Sequence, residues 1–173
     1  TGMNADFENN NGNFVPNPSS NGWEWGQSTV VGAHSGTKVW GTRLNSPYPN
    51  NANYQLTTPS VYIGSNFMLE FWHYYNSEAN YDGGNVKIST NGGTTWTLLT
   101  PVGGYPNANL SVLNGPGYSG NSGGWVFARF NLSIYANQSV QFRFTFASDS
   151  GITGDGWFID DVRTTGFVEF AGK

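Results

Sequence analysis

The segment SVQFRFTFA, residues 139–147, alternates apolar and polar side chains along its whole length. Its polar positions carry a glutamine, an arginine and a threonine, and its apolar positions are Val140, Phe142, Phe144 and Phe146. Neighbouring side chains of a β-strand point to opposite faces of the sheet, so this pattern predicts a strand with one apolar and one polar face. The apolar face must be covered by a second layer, and two packed sheets satisfy that need.

Three further segments show strand-like patterns, at residues 66–75, 125–132 and 157–162. The triplet Asn91-Gly92-Gly93 separates NVKIST from TTWTLL, and such a turn between two apolar runs predicts a hairpin. No segment repeats apolar residues at helical spacing over three turns. About nine or ten short strands at this spacing predict an all-β fold, a jelly-roll β-sandwich of two antiparallel sheets.

The composition fits one module over residues 1–173, with a core of about residues 6–165. Charged residues make up 10% of the chain, against about 25% in an average soluble domain, and aromatic residues make up 16%. This combination is typical of a secreted or cell-surface β-module. The sequence starts at Thr1 without a visible signal peptide, so we expect a fragment of a larger secreted protein.

The same composition argues against several partners and cofactors. Seven Lys and Arg against eleven Asp and Glu give a net charge of −4 without any basic run, which argues against nucleic acid. No apolar stretch approaches the roughly 18 residues of a membrane span. The absence of Cys excludes disulfides and cysteine metal sites, and two His leave little material for a zinc site.

The few acidic residues concentrate near the two ends of the chain. Six of the eleven lie within residues 6–8 and 149–161: Asp6, Glu8, Asp149, Asp155, Asp160 and Asp161. In a regular strand Asp160 and Asp161 point to opposite faces, so one of them must face inward or lie at a strand end. A buried carboxylate needs a partner, and Ca²⁺, which binds about six to eight oxygen ligands, is a suitable one. The alternative is that these acids are solvated turn and cap residues.

Motifs for catalysis are absent, and no catalytic residue is predicted. The sequence contains no G-x-S-x-G, H-E-x-x-H or P-loop pattern. Carboxylate pairs for glycoside hydrolysis can be drawn from any chain with eleven acids, and no spacing singles one out. His73 shares an apolar strand face and is predicted to be a hydrogen-bonded core residue, whereas His34 is predicted to lie in a loop.

Sheet faces that mix aromatic and polar side chains suit carbohydrate, because rings stack on apolar sugar faces while polar groups bind hydroxyls. The predicted ligand-binding residues are Trp72, Tyr74, Glu70, Arg129, Gln141 and Arg143. The competing interpretation is that the aromatic residues fill the core. On that ground we expect most of the seven Trp to be at least half buried.

Three parts of the chain together resemble bacterial MAM-like domains, and the resemblance covers residues 6–162. The opening of the family is similar to DFENNNGNFVPNPSSNGWEWG, and its central hairpin is similar to YDGGNVKISTNGGTTWTLL. Its closing segment is similar to GYSGNSGGWVFARFNLSIYANQSVQFRFTFASDSGITGDGWFIDDV. Such domains occur in immune-inhibitor-A-type metalloproteases and in cleaved-adhesin modules of cell-surface proteases.

The resemblance implies a jelly roll with a structural Ca²⁺ where the first and last strands meet. Carried over by position, it makes Glu8 and Asp161 the first ligand candidates. The weaker candidates are Asp6 and Asp160 at the same site, and Asp149 and Asp155 in the loop SDSGITGDG. Asn91 stands where the family often has Asp, which argues against an ion in the hairpin.

The family implies no catalytic residues, and its members are accessory, adhesive or interaction modules, some of which bind glycans. We therefore expect a calcium-stabilised carbohydrate-binding module of a secreted bacterial multidomain enzyme, with a polysaccharide or glycan as its partner. The alternative is a protein-binding or adhesive domain that contacts an extracellular protein or the neighbouring domains of its parent chain.

Overall fold

A computed structural model describes residues 2–166 of the chain. Its strands are β1 (Asn4–Ala5), β2 (Val15–Asn17), β3 (Glu24–Gln27), β4 (Lys38–Gly41), β5 (Asn53–Thr57), β6 (Val61–Ile63), β7 (Phe67–Asn76), β8 (Gly83–Ser89), β9 (Thr97–Leu99), β10 (Asn107–Leu110), β11 (Gly115–Gly117), β12 (Val126–Asn131), β13 (Gln138–Ala147) and β14 (Gly156–Gly166). Two short 3₁₀-helices cover Ser111–Leu113 and Ser133–Tyr135.

The strands form two antiparallel six-stranded sheets that pack as a jelly-roll β-sandwich, so the predicted fold class is confirmed. The first sheet has the order β12-β7-β14-β4-β3, with β1 paired to β14. The second has the order β2-β5-β13-β8-β9, with β6 paired to β13. Strands β10 and β11 form a separate two-stranded ribbon.

The core lies between the two sheets and is rich in aromatic rings. The ring of Phe144 on β13 lies 5.3 Å from that of Phe71 on β7 and 5.8 Å from that of Trp157 on β14. All three side chains are at most 1% exposed. The apolar positions of residues 139–147 therefore face inward as the alternation predicts, and the polar positions between them face outward.

A histidine lies inside this core, as the sequence predicts. His73 is 1% exposed, and Trp157 Nε1 donates a hydrogen bond to its Nδ1 at 3.0 Å. Burial lowers the pKa of His73 to about 3, so its imidazole is neutral at pH 7. Gly84 on the facing sheet leaves room for the same indole, because a Cβ there would lie 2.3 Å from Trp157 Cε3.

Candidate metal centre and binding faces

One loop, residues 34–38, is contacted by carboxylates from both ends of the chain. Asp160 and Asp161 on β14 bind its first two residues, and Glu8 of the N-terminal segment binds its last two. The loop therefore joins the two ends of the domain. It brings together three of the six acidic residues that the sequence proposes as metal ligands.

Asp160 is fully buried beneath this loop. Its Oδ2 accepts hydrogen bonds from the backbone N–H groups of His34 and Ser35, both at 3.1 Å. Its Oδ1 accepts a further bond from the N–H of Asp161 at 2.8 Å. Burial, together with the adjacent charge of Asp161, nevertheless raises the pKa of Asp160 to about 7. A nearby cation would relieve this cost by stabilising the ionised form.

Asp161 reaches the same loop because β14 carries a bulge. The register of β14 against β7 shifts between Asp160 and Arg163, and the φ of Asp161 is 51°. Both aspartates consequently contact the loop outside the core, and the prediction that they point to opposite faces is wrong. Ser35 Oγ donates to the carboxylate of Asp161 at 2.7 Å, and His34 Nδ1 lies 2.7 Å from its Oδ2.

The donor set at this position fits a divalent cation. His34, Asp160 and Asp161 each offer one ligand atom, and these atoms lie within 4.8 Å of one another. The carboxylate oxygens are hard ligands of the kind that Ca²⁺ prefers, and backbone carbonyls commonly complete such a shell. Only the imidazole nitrogen of His34 departs from that preference, since imidazole suits transition metals better.

Glu8 lies on the other side of the loop and is not a member of this cluster in the described residues. Its two carboxylate oxygens accept hydrogen bonds from the N–H groups of Lys38 and Thr37, each at 2.9 Å, and these bonds lower the pKa of Glu8. Asp6 Oδ1 accepts a bond from the N–H of Glu8 at 3.1 Å, as a turn residue does. In this arrangement Glu8 ties the N-terminal segment to the loop.

A second acidic cluster consists of Glu78, Asp82 and Asp149. Asp82 is fully buried, and it accepts hydrogen bonds from the Tyr48 hydroxyl at 2.7 Å and from the N–H of Asp149 at 2.8 Å. Burial raises the pKa of both Asp82 and Glu78. Asp82 and Glu78 are not among the metal ligands predicted from the sequence. The sequence does offer one indication of Asp82: it stands at the start of the hairpin segment YDGGNVKISTNGGTTWTLL, directly before strand β8.

Asp155 does not join Asp149, although both belong to the loop SDSGITGDG. The Asp155 carboxylate accepts hydrogen bonds from the Tyr74 hydroxyl at 2.8 Å and from Asn76 Nδ2 at 3.1 Å. Burial and this carboxylate raise the pKa of Tyr74 to about 12. Asp155 and Tyr74 thus bind each other, so fewer hydrogen-bonding and coordinating positions of the two side chains remain for a metal or a sugar.

The predicted binding residues of the first sheet lie on its outer face. The Trp72 ring stacks on that of His34 at 3.9 Å with an interplanar angle of 10°, and it lies 5.3 Å from the Phe127 ring. Glu70 binds two arginines at once: its carboxylate lies 3.4 Å from Arg129 Nε and 2.9 Å from Arg163 Nη2. These side chains already have partners within the protein.

Gln141 and Arg143 lie on the opposite side of the sandwich. Strand β13 carries them in the second sheet, whereas Trp72 and Tyr74 belong to β7 of the first sheet. The core separates the two outer faces, so the six predicted residues do not form one binding surface. The prediction that groups these six residues into one binding set is wrong, because alternation along a strand reveals the two faces of that strand but not the sheet to which the strand belongs.

The outer face of the second sheet contains a further aromatic residue, Trp96, which is not among the predicted ligand-binding residues. The guanidinium carbon of Arg143 lies 4.1 Å from the ring centroid of Trp96, and Arg143 Nε donates to Thr57 Oγ1 at 3.1 Å. Cross-strand pairing places Thr57, Arg143 and Lys87 in one row. We call this surface the second-sheet face; its residues are Gln55, Thr57, Lys87, Trp96, Gln141 and Arg143.

A protein-family model of the immune inhibitor A-like MAM domain matches residues 35–170. The chain belongs to this family. The MAM-like domain is 32% identical over 165 residues to Bacillopeptidase F of Bacillus subtilis (strain 168). That alignment covers 93% of this chain and 10% of the relative, so the domain spans about a tenth of that protein.

Solved structures show the same fold at low sequence identity. The K1 cleaved adhesin domain of Lys-gingipain from Porphyromonas gingivalis W83 superposes with a TM-score of 0.60 at 17% identity, over 97% of this chain and 99% of that one. The xylan-binding domain from CBM 22 gives a TM-score of 0.54 at 12% identity, over 96% of each chain. Within residues 2–166, no helix of the MAM-like domain is long and apolar enough to cross a membrane.

Proposed function

We propose that this MAM-like domain is a non-catalytic, calcium-stabilised carbohydrate-binding module of an extracellular multidomain enzyme. The observation that carries the proposal is the second-sheet face, where Trp96 and Arg143 stack beside Gln141 on an outer surface. Aromatic rings and planar polar groups of this kind recognise the apolar faces and the hydroxyls of sugars. The likeness in fold to the xylan-binding domain from CBM 22 supports the proposal.

Calcium would have a structural role in this proposal. Asp160 and Asp161 would hold the ion against residues 34–38, where it would neutralise two adjacent carboxylates. Because Glu8 binds the other end of the same loop, an ordered loop also fixes the N-terminal segment. The metal centre lies on the first sheet, away from the second-sheet face, so it is expected to act on stability rather than on sugar binding.

A binding experiment with two matched variants tests the carbohydrate proposal. The purified domain is run by affinity electrophoresis in gels that contain plant, algal or host glycans, and retarded samples are titrated calorimetrically. Trp96→Ala should weaken binding about tenfold or more, if the ring contributes about as much as the 1–3 kcal/mol of a nucleic-acid base stacked on an aromatic side chain. Phe127→Ala removes a ring that is 41% exposed on the first sheet and should leave binding unchanged. Equal losses in both variants, or no retardation by any glycan, would contradict the proposal.

A second candidate function is protein binding. The fold likeness to the K1 cleaved adhesin domain favours it, as do two exposed apolar residues near Arg129, namely Phe127 at 41% and Val102 at 64% exposure. Surface plasmon resonance against extracellular matrix proteins and against neighbouring domains of the parent chain tests this alternative. Binding that Phe127→Ala abolishes and Trp96→Ala leaves intact would favour it over carbohydrate.

A further inference from the structure

Lys87 and Arg143 form a like-charged pair in the middle of the second-sheet face. They lie directly opposite each other in the register of β8 and β13. Side chains at such positions have Cβ atoms about 4.5–5.5 Å apart, so two positive charges there destabilise the sheet. Both side chains are partly buried, which adds a desolvation cost and lowers the pKa of each.

No acidic side chain of the second sheet compensates the pair. None of the strands β2, β5, β6, β8, β9 and β13 contains Asp or Glu. Within residues 2–166, the ion pairs involve His34, Arg129 and Arg163 instead. In the first sheet, by contrast, the two outward arginines are both neutralised by an ion pair with Glu70.

The surroundings of Arg143 hold its side chain in position without neutralising it. The hydrogen bond to Thr57 uses only Nε, and the contact with Trp96 uses the flat face of the guanidinium. Within residues 2–166, no acceptor binds its terminal N–H groups, so they are left for a ligand. A guanidinium fixed in this way presents donors in a plane that matches the oxygens of a carboxylate or a sulfate.

We propose that the second-sheet face binds an acidic glycan, with a uronate carboxylate or a sulfate ester held between Lys87 and Arg143. The inference rests on the carbohydrate-binding function proposed above and specifies its ligand class. The anion supplies the charge that the sheet lacks. Gln55 and Gln141 lie on the same face and bind hydroxyls of the adjoining sugar units.

Calorimetric titration with three matched oligosaccharides tests the inference: an oligogalacturonate, a sulfated galactan fragment and the neutral galactan fragment. At least one acidic ligand should bind about tenfold or more tightly than the neutral one, since a charge-assisted hydrogen bond is worth about that factor. This preference should shrink at high salt. The two acidic ligands distinguish a carboxylate from a sulfate.

The variant Lys87→Glu gives stability and binding opposite signs. It creates an ion pair with Arg143, so it should raise Tm by about 1–4 °C while it weakens binding of the acidic ligand about tenfold or more. Arg163→Gln, which also removes a positive charge but lies on the first sheet, should leave binding unchanged. Equal binding of acidic and neutral ligands, or unaltered affinity in Lys87→Glu, overturns this inference alone. Failure of every glycan to bind overturns the carbohydrate function as well.

Discussion

Acid should destabilise this domain partly through one buried imidazole, and replacing His73 with asparagine should remove that part. The folded state holds His73 neutral, with its pKa lowered to about 3 by burial, whereas a histidine in the unfolded chain titrates near 6.5. Below about pH 6.5 the unfolded chain therefore binds a proton at His73 that the folded protein does not bind. The contribution to stability is complete above pH 6.5 and is lost as the pH falls toward 3.

The size of this effect follows from the two pKa values. Well below the unfolded pKa each pH unit costs about 1.4 kcal/mol, but the unfolded histidine is already half protonated at pH 6.5, so the fall from pH 6.5 to pH 4.5 costs about 2.3 kcal/mol through His73. Asparagine cannot titrate, and its Oδ1 occupies about the position of the imidazole Nδ1 that accepts the bond from Trp157. The variant loses some packing at every pH, but that loss does not depend on pH.

Urea unfolding followed by tryptophan fluorescence, with calcium present throughout, measures the difference. The free energy of unfolding should fall between pH 6.5 and pH 4.5 by about 2.3 kcal/mol more in the native protein than in His73→Asn. The carboxyl groups that titrate over the same range are common to both proteins, so they cancel in the comparison. An identical pH dependence in the two proteins would refute the assignment of His73 as a buried neutral residue.

Three further predictions concern the metal centre and the core. Removal of calcium with EDTA should lower Tm reversibly by about 8–16 °C. The reason is that an ion present at about a thousandfold excess over its Kd contributes about 4 kcal/mol to the free energy of unfolding. An unchanged Tm would exclude a structural ion. Asp161→Asn should melt like the chelated protein and should respond less to EDTA, whereas a full EDTA response would show that Asp161 is not a ligand. Gly84→Ala should lower the free energy of unfolding by about 1–3 kcal/mol, since its Cβ meets Trp157, while the matched change Gly115→Ala has nothing within 4 Å and should cost much less.

The fold could be predicted from the sequence because its information is local. Alternation over residues 139–147 identifies both the strand and the side that faces the core, and the structure extends the strand by a single residue. Burial of tryptophan follows from side-chain chemistry alone: Trp23, Trp40 and Trp157 are at most 3% exposed, and the others are partly buried. The same chemistry places Tyr118, which directly follows β11, at 6% exposure within the core.

The candidate sites could be predicted only in part, because they depend on contacts between distant residues. Nothing local shows that β7 and β13 lie in different sheets, and this separates Trp72 from Arg143. The bulge beside Asp161 also has no pattern in the sequence, although it decides where both aspartates point. The pairing of Lys87 with Arg143 joins residues more than 50 positions apart, and only the register of the sheet reveals it.

The positions of β13 and β14 in the sheets have a consequence for how the domain folds during synthesis. These are the last two strands of the described chain, yet each lies in the interior of its sheet. Until they emerge from the ribosome, β7 lacks its partner β14 and β8 lacks its partner β13, so one edge of each strand is open. Long-range pairing of this kind is slow, and open strand edges attract other chains. Nascent chains should therefore depend on chaperones until the final strand is released, and truncation before β14 should give aggregates rather than a smaller folded domain.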